Sequence, residues 1–234
     1  MKKQLLYWLA ALTPAMPIPA AASCGSAFCS INTNWDVQGA MAEPGLRADL
    51  RYEYIRQDQP MSGSRKVAVG EIPRHHDEVS TTNRNWLPSI DYGGRDWGVN
   101  LLVPFMHREH EHIHNHNGAQ LEESWNFREV GDARILGRRR LASFGESAPS
   151  NLGVNFGVKL PTGDTEVRNR DGDRAERTLQ PGTGTTDLLL GAYYTQQIPA
   201  RGVSWFTQAL AQLPLKSSED FRPGRKYTAD VGVR

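Results

Sequence analysis

Leu46-Arg47-Ala48-Asp49-Leu50-Arg51-Tyr52-Glu53-Tyr54-Ile55-Arg56 sets apolar side chains on the even positions Leu46, Ala48, Leu50, Tyr52 and Tyr54. Charges stand on the odd positions Arg47, Asp49, Arg51 and Glu53, with Ile55 the exception. Successive side chains leave a pleated strand on opposite sides, so this alternation gives a strand with one apolar and one charged face. A half-exposed strand of a soluble sandwich alternates in the same way, so recurrence along the chain has to decide.

The pattern does recur. Asn151 to Pro161 sets Leu152, Val154, Phe156, Val158 and Leu160 against Asn151, Gly153, Asn155, Gly157 and Lys159. Tyr227, Ala229, Val231 and Val233 oppose Lys226, Thr228, Asp230 and Arg234. Trp97 to His107 carries Trp97, Val99, Leu101, Val103 and Phe105 on one side. Gly131 to Arg139 carries Asp132, Arg134 and Arg138 on one side and small or apolar residues on the other. Asn83 to Tyr92, Thr185 to Gln197 and Val203 to Leu213 are looser strands of similar length.

These make about eight strands, most near the roughly ten residues a tilted strand needs to cross a bilayer. A Lys or Arg facing lipid at mid-depth costs about 2–4 kcal/mol, so the charged faces must turn inward. The expected fold is therefore all-β, an antiparallel transmembrane β-barrel. Its lumen is expected to be lined by Arg47, Asp49, Arg51, Glu53, Asp132, Arg134, Arg138, Lys159 and Asp230. Tyr52, Tyr54, Trp86, Tyr92, Trp97, Tyr193 and Tyr194 stand near strand ends, where interfacial girdle residues belong.

The intervening segments alternate in length. Residues 57–82, 108–124, 161–184 and 214–225 read as long or medium loops, while 93–96, 141–150 and 199–202 read as shorter turns. Outer-membrane barrels carry long loops outside and short turns in the periplasm, so the N-terminal end is placed in the periplasm. The chain ends at Arg234 without the terminal aromatic common in such barrels, which gives the expectation of a barrel truncated at its C-terminus. A closed eight-strand barrel, filled by side chains, is the alternative.

Composition agrees. The 234 residues carry 27 Lys and Arg against 26 Asp and Glu, a net charge of +1, and nucleic-acid binders usually show a clear basic excess. A mean hydropathy of −0.55 excludes a bundle of apolar helices but not a barrel, whose strands average out as polar. Met1-Lys2-Lys3, an apolar run from Leu5 to about Met16, and Ala20-Ala21-Ala22-Ser23 have the order of a cleaved export signal over residues 1–23. Residues 24–45 then form a periplasmic segment holding Cys24 and Cys29, and 46–234 the barrel. In an oxidising compartment the two cysteines read first as a small disulfide loop. Ala21-Ala22-Ser23-Cys24 also weakly resembles a lipoprotein cleavage site.

Lys159-Leu160-Pro161-Thr162-Gly163-Asp164, then Leu179-Gln180-Pro181-Gly182-Thr183-Gly184-Thr185-Thr186-Asp187 and Leu190-Gly191, resemble a bacterial family. It is the outer-membrane transporter family grouped with the meta-pathway phenol-degradation channel proteins. The resemblance covers roughly residues 46–234. It implies an outer-membrane barrel, a channel for small solutes, and no catalytic residues.

Histidine gives the sharpest chemical signal. His107, His110, His112, His114 and His116 fall within ten residues, and His75-His76 stand apart as a pair. Imidazole suits Zn²⁺, Cu²⁺ or Ni²⁺, and these seven are the candidate metal ligands. A solvated histidine-rich loop with no fixed ligand set is the alternative reading. Asn169-Arg170-Asp171-Gly172-Asp173 lacks the order of a calcium loop, and no nucleotide loop, nucleophile elbow or zinc-protease helix is present. The sequence therefore points to a non-enzymatic outer-membrane channel for small solutes, in contact with outer-membrane lipid. Its alternatives are a non-transporting surface metal binder and a soluble periplasmic β-sandwich.

Overall fold

The computed structural model describes residues 44–72, 76–116, 119–146, 149–217, 221 and 223–233. The expected signal, Cys24, Cys29 and His75 lie outside the described residues, as do the side chains of His76 and His116. The strands are β1 (Gly45–Gln57), β2 (Met61–Ser62), β3 (Arg65–Lys66), β4 (His76–Gly93), β5 (Trp97–Leu102) and β6 (Phe105–His116). They continue with β7 (Ala119–Val130), β8 (Arg134–Phe144), β9 (Ser150–Lys159), β10 (Thr185–Ile198), β11 (Val203–Ser217) and β12 (Lys226–Val233).

All pairings are antiparallel. One sheet of ten strands runs β12-β11-β10-β9-β8-β5-β4-β6-β7, with β1 on the other side of β4, while β2 and β3 pair separately. β5 and β6 lie end to end along β4, and β7 and β8 lie end to end along them. Counting each of these as one long strand reduces ten to eight, in an up-and-down meander. The sheet curls into a half-barrel that is not closed, with β1 and β12 at its two edges.

Every strand expected from alternation is present, but four are longer, β11 among them, which runs on to Ser217. β4 begins at His76, β6 runs to His116 and β7 occupies Ala119–Val130, so the expected loop 108–124 is largely strand and the expected loop 57–82 gives way to strand from His76 on. The expected turn at 141–150 also shrinks, since β8 reaches Phe144 and β9 begins at Ser150. The sequence misled here because polar residues occupy both faces, which removes the alternation that identifies a strand. The connections from β1 to β4, from β9 to β10 and from β11 to β12 leave from one end of the sheet, as does the two-residue connection from β6 to β7, and both β1 and β12 have their outer ends at the other.

The polarity of the sheet is reversed relative to a water-soluble protein. One rung on the convex face reads Ala48, Ile90, Leu101, Ile135, Val158, Leu188, Leu213 across β1, β4, β5, β8, β9, β10 and β11. On the concave face the adjacent rung reads Asp49, Ser89, Leu102, Arg134, Lys159, Asp187. Leu46, Leu50, Trp86, Ile90, Tyr92, Phe156 and Val231 are exposed on the convex side. The largest fully buried side chains are Arg108, Leu189, Gln180, Asn83, Thr81, Thr185, Thr195 and Asp187, and all but Leu189 are polar. Tyr193 departs from the expected girdle: it points inward, buried over Gly153, because its odd position shares the concave face with Asp187 and Leu189.

Candidate functional site

The concave wall is built from ion pairs between strands. Asp91 on β4 accepts hydrogen bonds from Arg47 on β1 and from both terminal nitrogens of Arg138 on β8. Arg138 reaches Asp91 across β5, and Gly98 makes this crossing feasible: a Cβ there would sit 2.3 Å from the guanidinium. Next along the wall, Lys159 donates to Asp132 at 2.7 Å and lies 3.4 Å from Asp187, with all three side chains nearly inaccessible to water. Gln212 on β11 donates to Asp187 at 2.5 Å, and Gln208 donates to Asp230 on β12 at 2.9 Å.

Of the expected lumen residues, Arg47, Asp132, Arg138, Lys159 and Asp230 therefore join these inner-face contacts. Arg51 pairs with Glu53 along β1, 3.3 Å apart. Arg134 stands on the same rung as Lys159, and Asp49 is exposed on the edge strand. Sequence reading missed Asp91 and Asp187, the acceptors that tie the wall together. The even run of Asn83–Tyr92 carried Trp86, Ile90 and Tyr92, which drew attention away from the odd position 91.

Above this wall, towards the longer segments, the concave side of β6 and β7 carries Arg108, His110, His112, Glu123, Trp125 and Phe127. His110 and His112 are 5% and 4% exposed. A hydrogen-bonded chain runs Glu78, Thr81, His110, His112, Glu123. Thr81 Oγ1 donates to Glu78 at 2.8 Å and meets His110 Nδ1 at 2.7 Å. His110 Nε2 meets His112 Nδ1 at 3.0 Å, and His112 Nε2 meets Glu123 Oε2 at 3.0 Å. Both rings pack against Trp125, at 6.0 and 5.1 Å between centroids. Burial, then the neighbouring His112 and Arg108, pushes His110 down to about 4.

The candidate metal ligands His110 and His112 thus lie in this hydrogen-bonded chain. Among the described residues no three His, Cys, Asp or Glu side chains are grouped to hold a metal ion. His107 points to the convex face beside Asn126, away from His110 and His112. His114 lies 3.7 Å from Glu123, whose other oxygen takes His112. His76 and His114 are cross-strand partners in the backbone register, so the two histidine groups do meet, as strand pairs rather than as loops.

Residues 160–184 fold against this upper concave surface. Arg108 donates to the Leu179 carbonyl at 2.5 Å and to Asn83 at 2.6 Å. Burial alone brings Arg108 to about 10, so it stays charged near neutrality. Trp125 Nε1 donates to the Asp173 carbonyl at 3.1 Å, and Val167, Ala175 and Leu179 pack on Trp125 and Phe127. Gln180, fully buried, ties the segment internally: it accepts from the Val167 amide and donates to the Val167 and Ala175 carbonyls. The two ends are clamped where Leu160-Pro161-Thr162-Gly163 meets Pro181-Gly182-Thr183-Gly184. A Cβ on Gly182 would stand 2.2 Å from the Gly163 carbonyl oxygen, and Asp132 accepts from the Gly163 and Thr183 amides. The motif that carried the family resemblance is thus the hinge that seats this segment. No protein-family model matches the chain, and no characterised protein matches it in sequence.

Proposed function

We propose that this chain forms the wall of an outer-membrane β-barrel that passes small polar solutes, with residues 160–184 narrowing the passage from the inside. The observation that carries the reading is the reversed polarity: apolar rungs on the convex side, ion pairs and fully buried polar side chains on the concave side. In water this arrangement exposes many large apolar side chains in continuous rungs, well beyond the scattered ones normal on a soluble surface. In a bilayer the same rungs face lipid, and the backbone hydrogen bonds are satisfied between strands.

In a bilayer the edges at β1 and β12 have to be paired, since an exposed strand edge is untenable in lipid. The concave charges are arranged as opposed pairs, Arg47 and Arg138 around Asp91, and Lys159 between Asp132 and Asp187. Paired rows of this kind set up a transverse field that orients dipolar solutes without attracting one sign of charge strongly. The ends bearing the longer segments are read as extracellular.

The test is heat-modifiable gel mobility of the full protein from purified outer membranes, followed by planar-bilayer conductance. A mobility shift between unboiled and boiled samples, with steady ionic current, is the expected result. Recovery of the protein in the soluble periplasmic fraction without a shift overturns the membrane reading. A shift without current overturns the channel and leaves a filled barrel.

A further inference from the structure

On the convex face, two neighbouring rungs differ abruptly in chemistry. One reads Tyr52, Trp86, Phe105, Val130 across β1, β4, β6 and β7. The next, two residues towards the longer segments, reads Tyr54, Arg84, His107, Arg128. The step between them is about 7 Å along the strands. An aromatic and aliphatic rung thus gives way within one pleat to a rung with two guanidinium groups. Arg84 is set beside the Tyr54 ring, 5.9 Å away, and is held at 2.9 Å by Glu109 on the following rung. Arg128 is exposed.

A groove of about 520 Å³ spans this boundary, lined by Tyr52, Trp86, Phe105 and Val130 on one side and Arg84, His107 and Arg128 on the other, with Met106 and the single acid Glu129 also lining it. Its apolar floor accepts hydrocarbon, and its cationic rim accepts an anion at the depth where a bilayer's hydrocarbon ends. Guanidinium forks suit phosphate oxygens. At the opposite end of the belt the convex rung holding Tyr92 continues through Val99 to Gly137, with no matching row of cations.

We propose that this groove binds a phosphate-bearing lipid of the outer leaflet, with its phosphate on Arg84 and Arg128 and its acyl chains on Tyr52, Trp86 and Phe105. The proposal rests on the membrane reading above. It adds a specific ligand class and fixes the depth of the barrel on one side.

The experiment is native mass spectrometry of the full chain folded in non-ionic detergent, titrated with diphosphoryl lipid A and with its dephosphorylated counterpart. Saturable binding of the phosphorylated lipid, roughly tenfold or more tighter than the dephosphorylated one, is expected. Arg84→Gln with Arg128→Gln should bring the two lipids to equal affinity, whereas Arg139→Gln, on another strand near the far end of the belt, should change nothing. If the double variant does not fold, as judged by gel mobility, Arg128→Gln alone serves, since its side chain is exposed. Equal affinity of wild-type protein for both lipids overturns the proposal. So does displacement of the lipid by millimolar inorganic phosphate, which would mark a free-anion site. Flotation with neutral phosphatidylcholine vesicles separates the two readings. A chain that floats but does not distinguish the lipids loses this proposal only; a chain that does not float loses both.

Discussion

Leu101→Lys is the substitution that most directly weighs lipid against water on the convex face. Leu101 lies midway between Trp97 and Phe105, and its rung neighbours Ile90 and Ile135 are apolar. It is 40% exposed, so in water a lysine there would extend freely and change stability by no more than about 0.5 kcal/mol. Trp97 to Phe105 covers eight steps, about 27 Å along the strand and about 20 Å across the bilayer at a usual barrel tilt. An ammonium at the centre of that span is far from either interface. The cost is then about 2–4 kcal/mol, a loss of about 30- to 900-fold in the folding constant. The matched control is Ser89→Lys on the next rung, which points inward and faces Asp49 across the strand pair. An opposite-charge cross-strand pair contributes roughly 0.2–1 kcal/mol, so this variant should be neutral or slightly stabilised. Reversible denaturant unfolding from phosphatidylcholine vesicles, followed by tryptophan fluorescence, reads both. If Leu101→Lys and Ser89→Lys differ by less than about 0.5 kcal/mol, the convex face is not in lipid and the membrane reading fails.

Three further outcomes follow from the concave side. His110 lies above the aromatic rung and outside the proposed span, and its folded value of about 4 is below the usual 6.5, so it contributes stability above pH 6.5 that is lost as pH falls towards 4. The loss is on the order of 3 kcal/mol and should be largely absent in His110→Gln, as read by denaturant midpoints across that range. Lys159→Met leaves the carboxylates of Asp132 and Asp187 buried without their cation, and should cost about 3–5 kcal/mol in the same unfolding assay. Gly182→Ala forces the backbone of Gly182 away from Gly163; trypsin should then cut at Arg168, Arg170, Arg174 or Arg177 faster than in the wild type, while the sheet remains folded.

Period-two alternation was enough to place all eight strand positions, because each strand has one face that must be apolar and one that must not. It failed where that constraint lapses. Between His107 and Ser124 the convex face carries Glu109 and Glu111 while the concave face carries His110 and His112, so both faces are polar and the segment looked like loop. What makes it strand is tertiary: the backbone pairs His76–Trp86 with Phe105–His114, and Trp125 and Phe127 bury against residues 160–184. The same limit applies to the site. Charges on inward positions could be read one strand at a time, but the union of Arg47, Asp91 and Arg138 depends on three strands and on the absence of a side chain at Gly98. The histidines could be counted; that His110 and His112 would bond to one another and to Thr81 and Glu123 could not.

The two levels of the concave face divide the work that the chain's chemistry can do. Within the apolar belt, the wall is rigid because its charges are mutually satisfied: Asp91 is held by two arginines and Lys159 by two aspartates. A buried pair of this type is costly to break and adds little net stability over an apolar pair, so its presence fixes a polar surface rather than strengthening the sheet. Above the belt, the surface is occupied. Arg108, Trp125 and the clamp at Gly163 and Gly182 hold residues 160–184 against the wall, next to the only buried imidazole pair among the described residues. In the channel proposed above, a solute moving along the wall would meet the inserted segment before the ion-paired rungs, so segment 160–184, rather than the diameter set by strand number, would limit passage. Shortening it between Thr165 and Arg177 should raise conductance, and leave ion selectivity to Arg47, Asp91, Arg138 and Lys159. Unchanged conductance in that deletion would place the restriction in the strand wall itself.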